Sequence, residues 1–349
     1  MKVAELRKKL APLKKEELIK LAVEFYKLVP KAKKEDYQLD EMVNNPSQPK
    51  PKKKCVSMAL SLSEVENLVK KFEEDAKEQN YLYPNRSVPK KERSTWRFKV
   101  KKWYKELVNV KRKDADLPLQ AVLLEILYEL LSEGGYHNYF TSQMPFKSIG
   151  ISQADFYKSV LFVWQEAEGK QTAIEKGIPL LLNHSLDEDT YFNDLSTEFI
   201  SCLPIPDLKE LAIAAIKAEI KTLNYIPISK ESVAVNGFGY YFDTRTVEEK
   251  NEEKRHVSLM TLAFQLYVAL YEPEEAIAFY KKYYYEEKVE LKLYVLIALL
   301  FDKGLKDEMK EELENAKKDD ITLIEELPKI LEYIKKYDSL PEDFYYFEM

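Results

Sequence analysis

Two cysteines, three histidines and eight glycines in 349 residues leave little room for several kinds of chemistry. Cys55 and Cys202 lie far apart, which is neither a disulfide framework nor a zinc-ligand spacing. Free thiols of this kind suit a reducing compartment, so a cytoplasmic location is predicted. His137, His184 and His256 have no cysteine, histidine or carboxylate at a spacing that defines a metal site. The chain also lacks a G-x-S-x-G elbow, a phosphate-binding P-loop and a Cys–His constellation. A protein without catalysis, metal or cofactor is the expectation. The scarcity of glycine argues against turn-rich β architecture.

Long apolar runs are missing as well. The stretch 119–131 is broken by Glu125 and Glu129. The stretch 293–301 falls far short of the roughly 20 residues that span a bilayer. Lys2, Glu5 and Arg7 arrive too early for the apolar region of a secretory signal. No membrane association is expected.

What the chain does contain is charge and helix formers. Charged residues make up 33% and hydrophobic ones 45%, enough apolar material for a core. The fold class predicted is all-α, an irregular α-α superhelix of stacked helical hairpins with one small β-like loop. Four regions follow from the pattern. They are a basic helical region over 1–113 with a Pro/Lys linker near 44–57, and a central helical region over 114–224. A loop or β-hairpin insertion over 225–256 and a helical-repeat region over 257–349 complete the chain.

Charge is distributed unevenly between these regions. Residues 1–113 hold 30 Lys+Arg against 16 Asp+Glu, a balance of +14. The remainder holds 24 against 44, a balance of −20. Such asymmetry points to an anionic partner for the basic part, or to attraction between the parts. The densest basic stretch is 90–113, where eleven cations face only Glu92 and Glu106. Trp96, Val100, Trp103 and Leu107 recur there at the spacing of one helical face. Arg97, Lys101 and Lys105 form a neighbouring stripe. Phosphate backbones would be drawn to that stripe with a salt-dependent affinity. Trp96 and Trp103 either stack on single-stranded bases or face a core. Nucleic acid or another polyanion is therefore one expected partner.

Elsewhere the pattern places helices near 119–132, 151–168, 170–183, 189–202 and 207–224. Ser61-Leu62-Ser63-Glu64 has the form of a capping box, with Leu62, Val65, Leu68, Val69 and Phe72 as a buried face behind it. The segment 233–242 is β-branched and aromatic around Asn236-Gly237, which favours a hairpin turn. The charged run 248–255 reads as a tether. His137 in a cleft would be a candidate general base. His184, beside Asp187, Glu188, Asp189 and Asp194, would be a candidate cation site.

The last third repeats with a 33-residue offset, which superposes Leu262 on Val295, Leu266 on Leu299, Ala276 on Met309 and Tyr280 on Leu313. The aliphatic helix of residues 293–304, closing on Gly304 before Asp307-Glu308-Met309, resembles a tetratricopeptide repeat. It departs from that pattern at Phe264 and Ile297, where small residues are usual, and at Met309, where alanine is usual. The resemblance implies a concave groove for a protein or peptide. Tyr267, Tyr271, Tyr280 and Tyr294 would line it, with Phe238 and Tyr240 on a gating loop. A scaffold or protein-interaction role is the leading expectation. Near the N-terminus, Glu5-Leu6-Arg7-Lys8-Lys9-Leu10 and Leu13–Leu21, followed by Phe25-Tyr26, resemble the opening of an uncharacterised bacterial helical family, which implies no activity.

Overall fold

A computed structural model describes residues 3–30, 34, 39–44, 60–109, 113–183, 185–223, 233–235 and 241–342. The architecture is all-α with a single two-stranded ribbon among the described residues. The chain divides into two compact units, Met1–Leu60 and Ser61–Met349. The expected linker near 44–57 lies almost entirely outside the described residues, as does Cys55.

The first unit contains α1 (Val3–Leu10), α2 (Lys15–Leu28) and α3 (Leu39–Asn44). The turn at Pro12 separates the first two, and the Lys14 amide donates to Glu17 Oε2 at 2.9 Å to start α2. No side chain of α2 is buried, and Ile19, Phe25 and Leu28 are exposed.

The second unit opens with α4 (Leu62–Lys77). Its capping box forms as the spacing predicts: Ser61 N–H donates to Glu64 Oε2 at 2.8 Å, and Glu64 N–H donates to Ser61 Oγ at 3.2 Å. Leu62, Val65, Val69 and Phe72 are buried, whereas Leu68 is exposed. Leu68 sits on the edge of that stripe, beyond the reach of the facing helices. After the turn α5 (Lys90–Arg93) comes α6 (Trp96–Asn109), then α7 (Leu117–Gly134) with Pro118 in its first turn. α4 and α6 both pack on α7.

α8 (Pro145–Ile149) is a single turn closed by Gly150 at φ +66°. α9 (Gln153–Glu168) is the hub of this region, packing on α7, α10 (Lys170–Leu182) and α11 (Phe192–Ser201). Gly177 makes the α9–α10 approach possible. A Cβ there would stand 2.7 Å from Leu161 Cδ2 and 2.9 Å from Phe199 Cε2. Pro179 lies inside α10. Its ring removes one amide that the helix would otherwise use, and both flanking residues of the chain, Ile178 and Leu180, are buried.

α7 carries a row of carboxylates, Glu125, Glu129 and Glu133, one turn apart. Burial first, then Glu125, Glu133 and Glu73, push the Glu129 carboxyl above its ordinary range. The folded state thus favours the protonated form, and this contribution to stability falls as pH rises past the ordinary carboxylate range. Glu129→Gln is accordingly expected to raise the melting temperature near pH 7 and to lose that advantage near pH 4. Thermal melts of both proteins across that range check it, and a gap that does not narrow towards acid would contradict the assignment.

α12 (Pro206–Ile220) precedes the ribbon, in which β1 (Val233–Val235) pairs antiparallel with β2 (Tyr241–Asp243). Val233 is opposite Asp243 and Val235 opposite Tyr241, the hairpin expected around Asn236-Gly237. The turn itself, with Phe238 and Tyr240, lies outside the described residues.

The tether expected at 248–255 is helical. α13 runs Val247–Ala269, so the insertion expected over 225–256 ends about ten residues earlier. Thr246 and Glu249 form a second capping box, with Thr246 N–H to Glu249 Oε2 at 2.6 Å and Glu249 N–H to Thr246 Oγ1 at 3.2 Å. The charges of this first stretch are held by partners: Arg255 pairs with Glu219, and Arg245 with Glu253 at 2.7 Å.

α14 (Pro273–Tyr283), α15 (Val289–Asp302), α16 (Lys306–Lys318) and α17 (Glu326–Tyr337) complete the unit. The 33-residue offset survives in three dimensions. Tyr271 and Gly304 both take the left-handed conformation, at φ +62° and +70°. The next amide in each turn donates five residues back, Glu272 to Tyr267 O at 3.0 Å and Leu305 to Leu300 O at 2.9 Å. Met260/Leu293, Ala263/Leu296, Phe264/Ile297 and Ala276/Met309 are equivalent pairs, and every member is buried. The two pairs differ at Leu262 and Leu266, which are buried, against Val295 and Leu299, which are half-buried. α13 is covered by α11 and α12 as well as α14, whereas α15 packs chiefly on α16.

Candidate functional site

α6 is a two-sided helix. One side carries Trp96, Val100, Trp103 and Leu107, all buried. Trp96 is 2% exposed and stacks on Phe140 with ring centroids 4.1 Å apart. Trp103 is 4% exposed and meets Phe72 edge-on at 5.4 Å. Of the two readings open for Trp96 and Trp103, a base platform or a core face, their burial agrees with the core face and leaves neither ring open to a base. The pull of the apolar stripe decides this, because burying two indoles on α4 and α7 outweighs leaving them for a ligand.

The opposite side is basic. Arg97, Lys102 and Lys105 are exposed, and Lys101 is half-buried with its ammonium against Gly150 at the end of α8. A helix C-terminus favours a cation there. Glu92 pairs with Lys99 at 2.5 Å. Arg97, Lys101, Lys102 and Lys105 form no ion pair among the described residues. Among them stands an aromatic the sequence pattern did not single out. Phe98 is 61% exposed, and the Arg97 guanidinium lies 4.9 Å from its ring centroid. Lys101, Lys102 and Lys105 follow Phe98 at i+3, i+4 and i+7, so all four share a face. The stripe of tryptophans drew attention from this ring. Its position opposite Trp96 and Trp103 on the helical wheel was the available signal.

The tyrosines expected to line a groove do not converge. Tyr280 is 0% exposed and donates to Lys292 O at 2.7 Å. Burial pushes its hydroxyl far above the ordinary range. Tyr267 is buried, with its hydroxyl accepting from Lys217 Nζ at 2.6 Å and its ring 5.8 Å from Phe279. Both belong to helix packing and are withdrawn as groove residues. Tyr294 is half-buried, and Tyr271 is 93% exposed at the α13–α14 corner.

No family model, curated protein or solved structure matches this chain.

A cleft of about 270 Å³ opens beside the end of α7, lined by Ser132, Tyr136, Gln143, Phe146, Asp187 and Glu188 among others. Buried Gln153 holds its far wall, donating to Ser185 O at 3.0 Å and accepting from the Asp187 amide at 2.8 Å. Burial, reinforced by Asp189 and Glu188, raises the Asp187 carboxyl. His137 does not line this cleft; its ring is stacked on Tyr139 at 5.5 Å and meets Tyr136 edge-on. His184 lies outside the described residues. The carboxylates that follow it have separate tasks. Asp189 pairs with Lys147 at 2.7 Å, and Asp194 accepts from the Tyr191 amide at 2.7 Å at the start of α11. Among the described residues no group of histidine, cysteine and carboxylate side chains is placed to hold a metal ion. His256 is buried with Nε2 2.7 Å from Tyr283 O. Cys202 is half-buried, and burial raises its thiol. Among the described residues no helix is long and apolar enough to cross a membrane.

Proposed function

We propose that this chain is a non-enzymatic helical scaffold that docks a polyanion on the outer face of α6. The observation that carries the reading is that Arg97, Lys101, Lys102 and Lys105 share one face, and among the described residues no carboxylate pairs with any of them. Cations placed like this repel one another, and an anionic ligand relieves the repulsion by displacing its own counterions. The buried side of the helix supports the reading from below. Trp96 and Trp103 fasten α6 to the core, so the cations are presented on a rigid rod. The paired helices of α13–α16, with their shared left-handed turn, support the scaffold part. They agree with the tetratricopeptide-like resemblance of residues 257–317.

Binding of the full chain to heparin and to labelled single-stranded DNA across a salt series tests the proposal. Four phosphate-equivalent contacts predict a log–log slope of about −3 for a single strand. Lys101→Glu combined with Lys105→Glu is expected to weaken binding and flatten that slope by at least about 1. No binding at low salt, or a slope indifferent to the double substitution, would remove the proposal.

A further inference from the structure

The charge on α6 accounts for affinity towards any polyanion, but it leaves Phe98 without a purpose. Phe98 stands at the centre of the basic face and keeps 61% of its surface in water. Its surroundings are not those of a protein-docking patch. Lys101, Lys102 and Lys105 border it on the following turns and Arg97 borders it from the preceding residue, so its neighbours along the exposed side of α6 are cations. Neither tryptophan of the helix is available to serve instead, since both are sealed in the core.

Resting on the polyanion reading above, we infer that the ligand of this face is single-stranded nucleic acid, with Phe98 as a platform on which an unpaired base stacks. Every base has a π face, and an exposed ring set in a basic groove or ridge is the arrangement that holds single strands without reading their sequence. The cations supply the backbone contacts: Lys102 and Lys105 stand on the outer face one and two turns beyond the ring, and the Arg97 guanidinium lies over the ring, 4.9 Å from its centroid. A duplex keeps its bases stacked on one another and offers Phe98 no face. A sulfated polysaccharide has no π system at all. The chemistry therefore ranks an unpaired strand above both.

The test uses the full chain and four probes at one salt concentration: a labelled oligothymidylate, an abasic sugar–phosphate strand of equal length, a duplex and heparin. The wild-type protein is expected to hold the oligothymidylate more tightly than the abasic strand or the duplex. Phe98→Ala should weaken oligothymidylate binding about five- to a hundred-fold and leave heparin within two-fold. Phe98→Tyr should restore most of the loss. Because the side chain is exposed, circular dichroism and the melting temperature should be unchanged in both variants. Equal loss on heparin and oligothymidylate, or equal affinity for abasic and base-bearing strands, overturns the stacking assignment while leaving the polyanion site standing. Tightest binding to the duplex overturns it in the same way. If none of the four probes binds at low salt, the polyanion reading itself fails.

Discussion

Trp96→Ala is expected to destabilise the second unit by about 3–5 kcal/mol, the usual cost of emptying a large aromatic site in a core. The indole is 2% exposed and stacked on Phe140, which also stacks on Phe72 at 5.7 Å and lies 6.0 Å from Tyr81. The void would therefore open beside Phe140, the ring that Phe72 and Tyr81 also meet. Residues of α6 cannot collapse into the void without pulling Val100 and Trp103 out of register. Arg97→Ala, one residue along, removes a solvated cation and is expected to stay within about 0.5 kcal/mol. Urea unfolding of the two variants makes the comparison, read as a shift in midpoint at constant m-value. A loss of under 1 kcal/mol for Trp96→Ala would mean that the indole is not a core residue. The basic face would then have lost its anchor.

The second large effect separates two tyrosines that look alike in sequence. Tyr280→Ala is expected to cost about 3–5 kcal/mol, since its ring is fully buried and stacked on Tyr284 at 4.9 Å. The substitution also leaves the Lys292 carbonyl without the phenol that donates to it. That contact ties α14 to α15, and Lys292 returns a bond to Lys281 O at 2.8 Å. The loss should therefore be felt as loosening between the two helical pairs. Tyr271→Ala is expected to change stability by no more than about 0.5 kcal/mol, because the side chain is almost wholly in solvent. Similar values for the two would contradict the placement of Tyr280 inside the stack.

The elements themselves were largely legible. Helix positions followed from apolar spacing, and the Ser61 capping box from a four-residue signature. The same signature stands at Thr246–Glu249, ahead of a run that is mostly charged. Arg255 of that run is received by Glu219, which comes from another helix. No reading of the run alone contains that partner. The candidate site was half legible. The density of cations on α6 could be counted, but which of its aromatics are buried and which is exposed could not.

What the sequence determined by itself is the periodic content: which stretches are helical, where two of them repeat at 33 residues, and where cations crowd. These follow from neighbours within a turn or two along the chain, where spacing and local hydrogen bonds decide. Only the tertiary structure decided which aromatics are spent on the core and which are left outside. Trp96, Trp103 and Tyr267 are each met by side chains distant in sequence, and Tyr280 by the backbone of the next helix, while Phe98 and Tyr271 are exposed. Burial depends on the surface another element brings, and a helix carries no record of its partner in its own spacing.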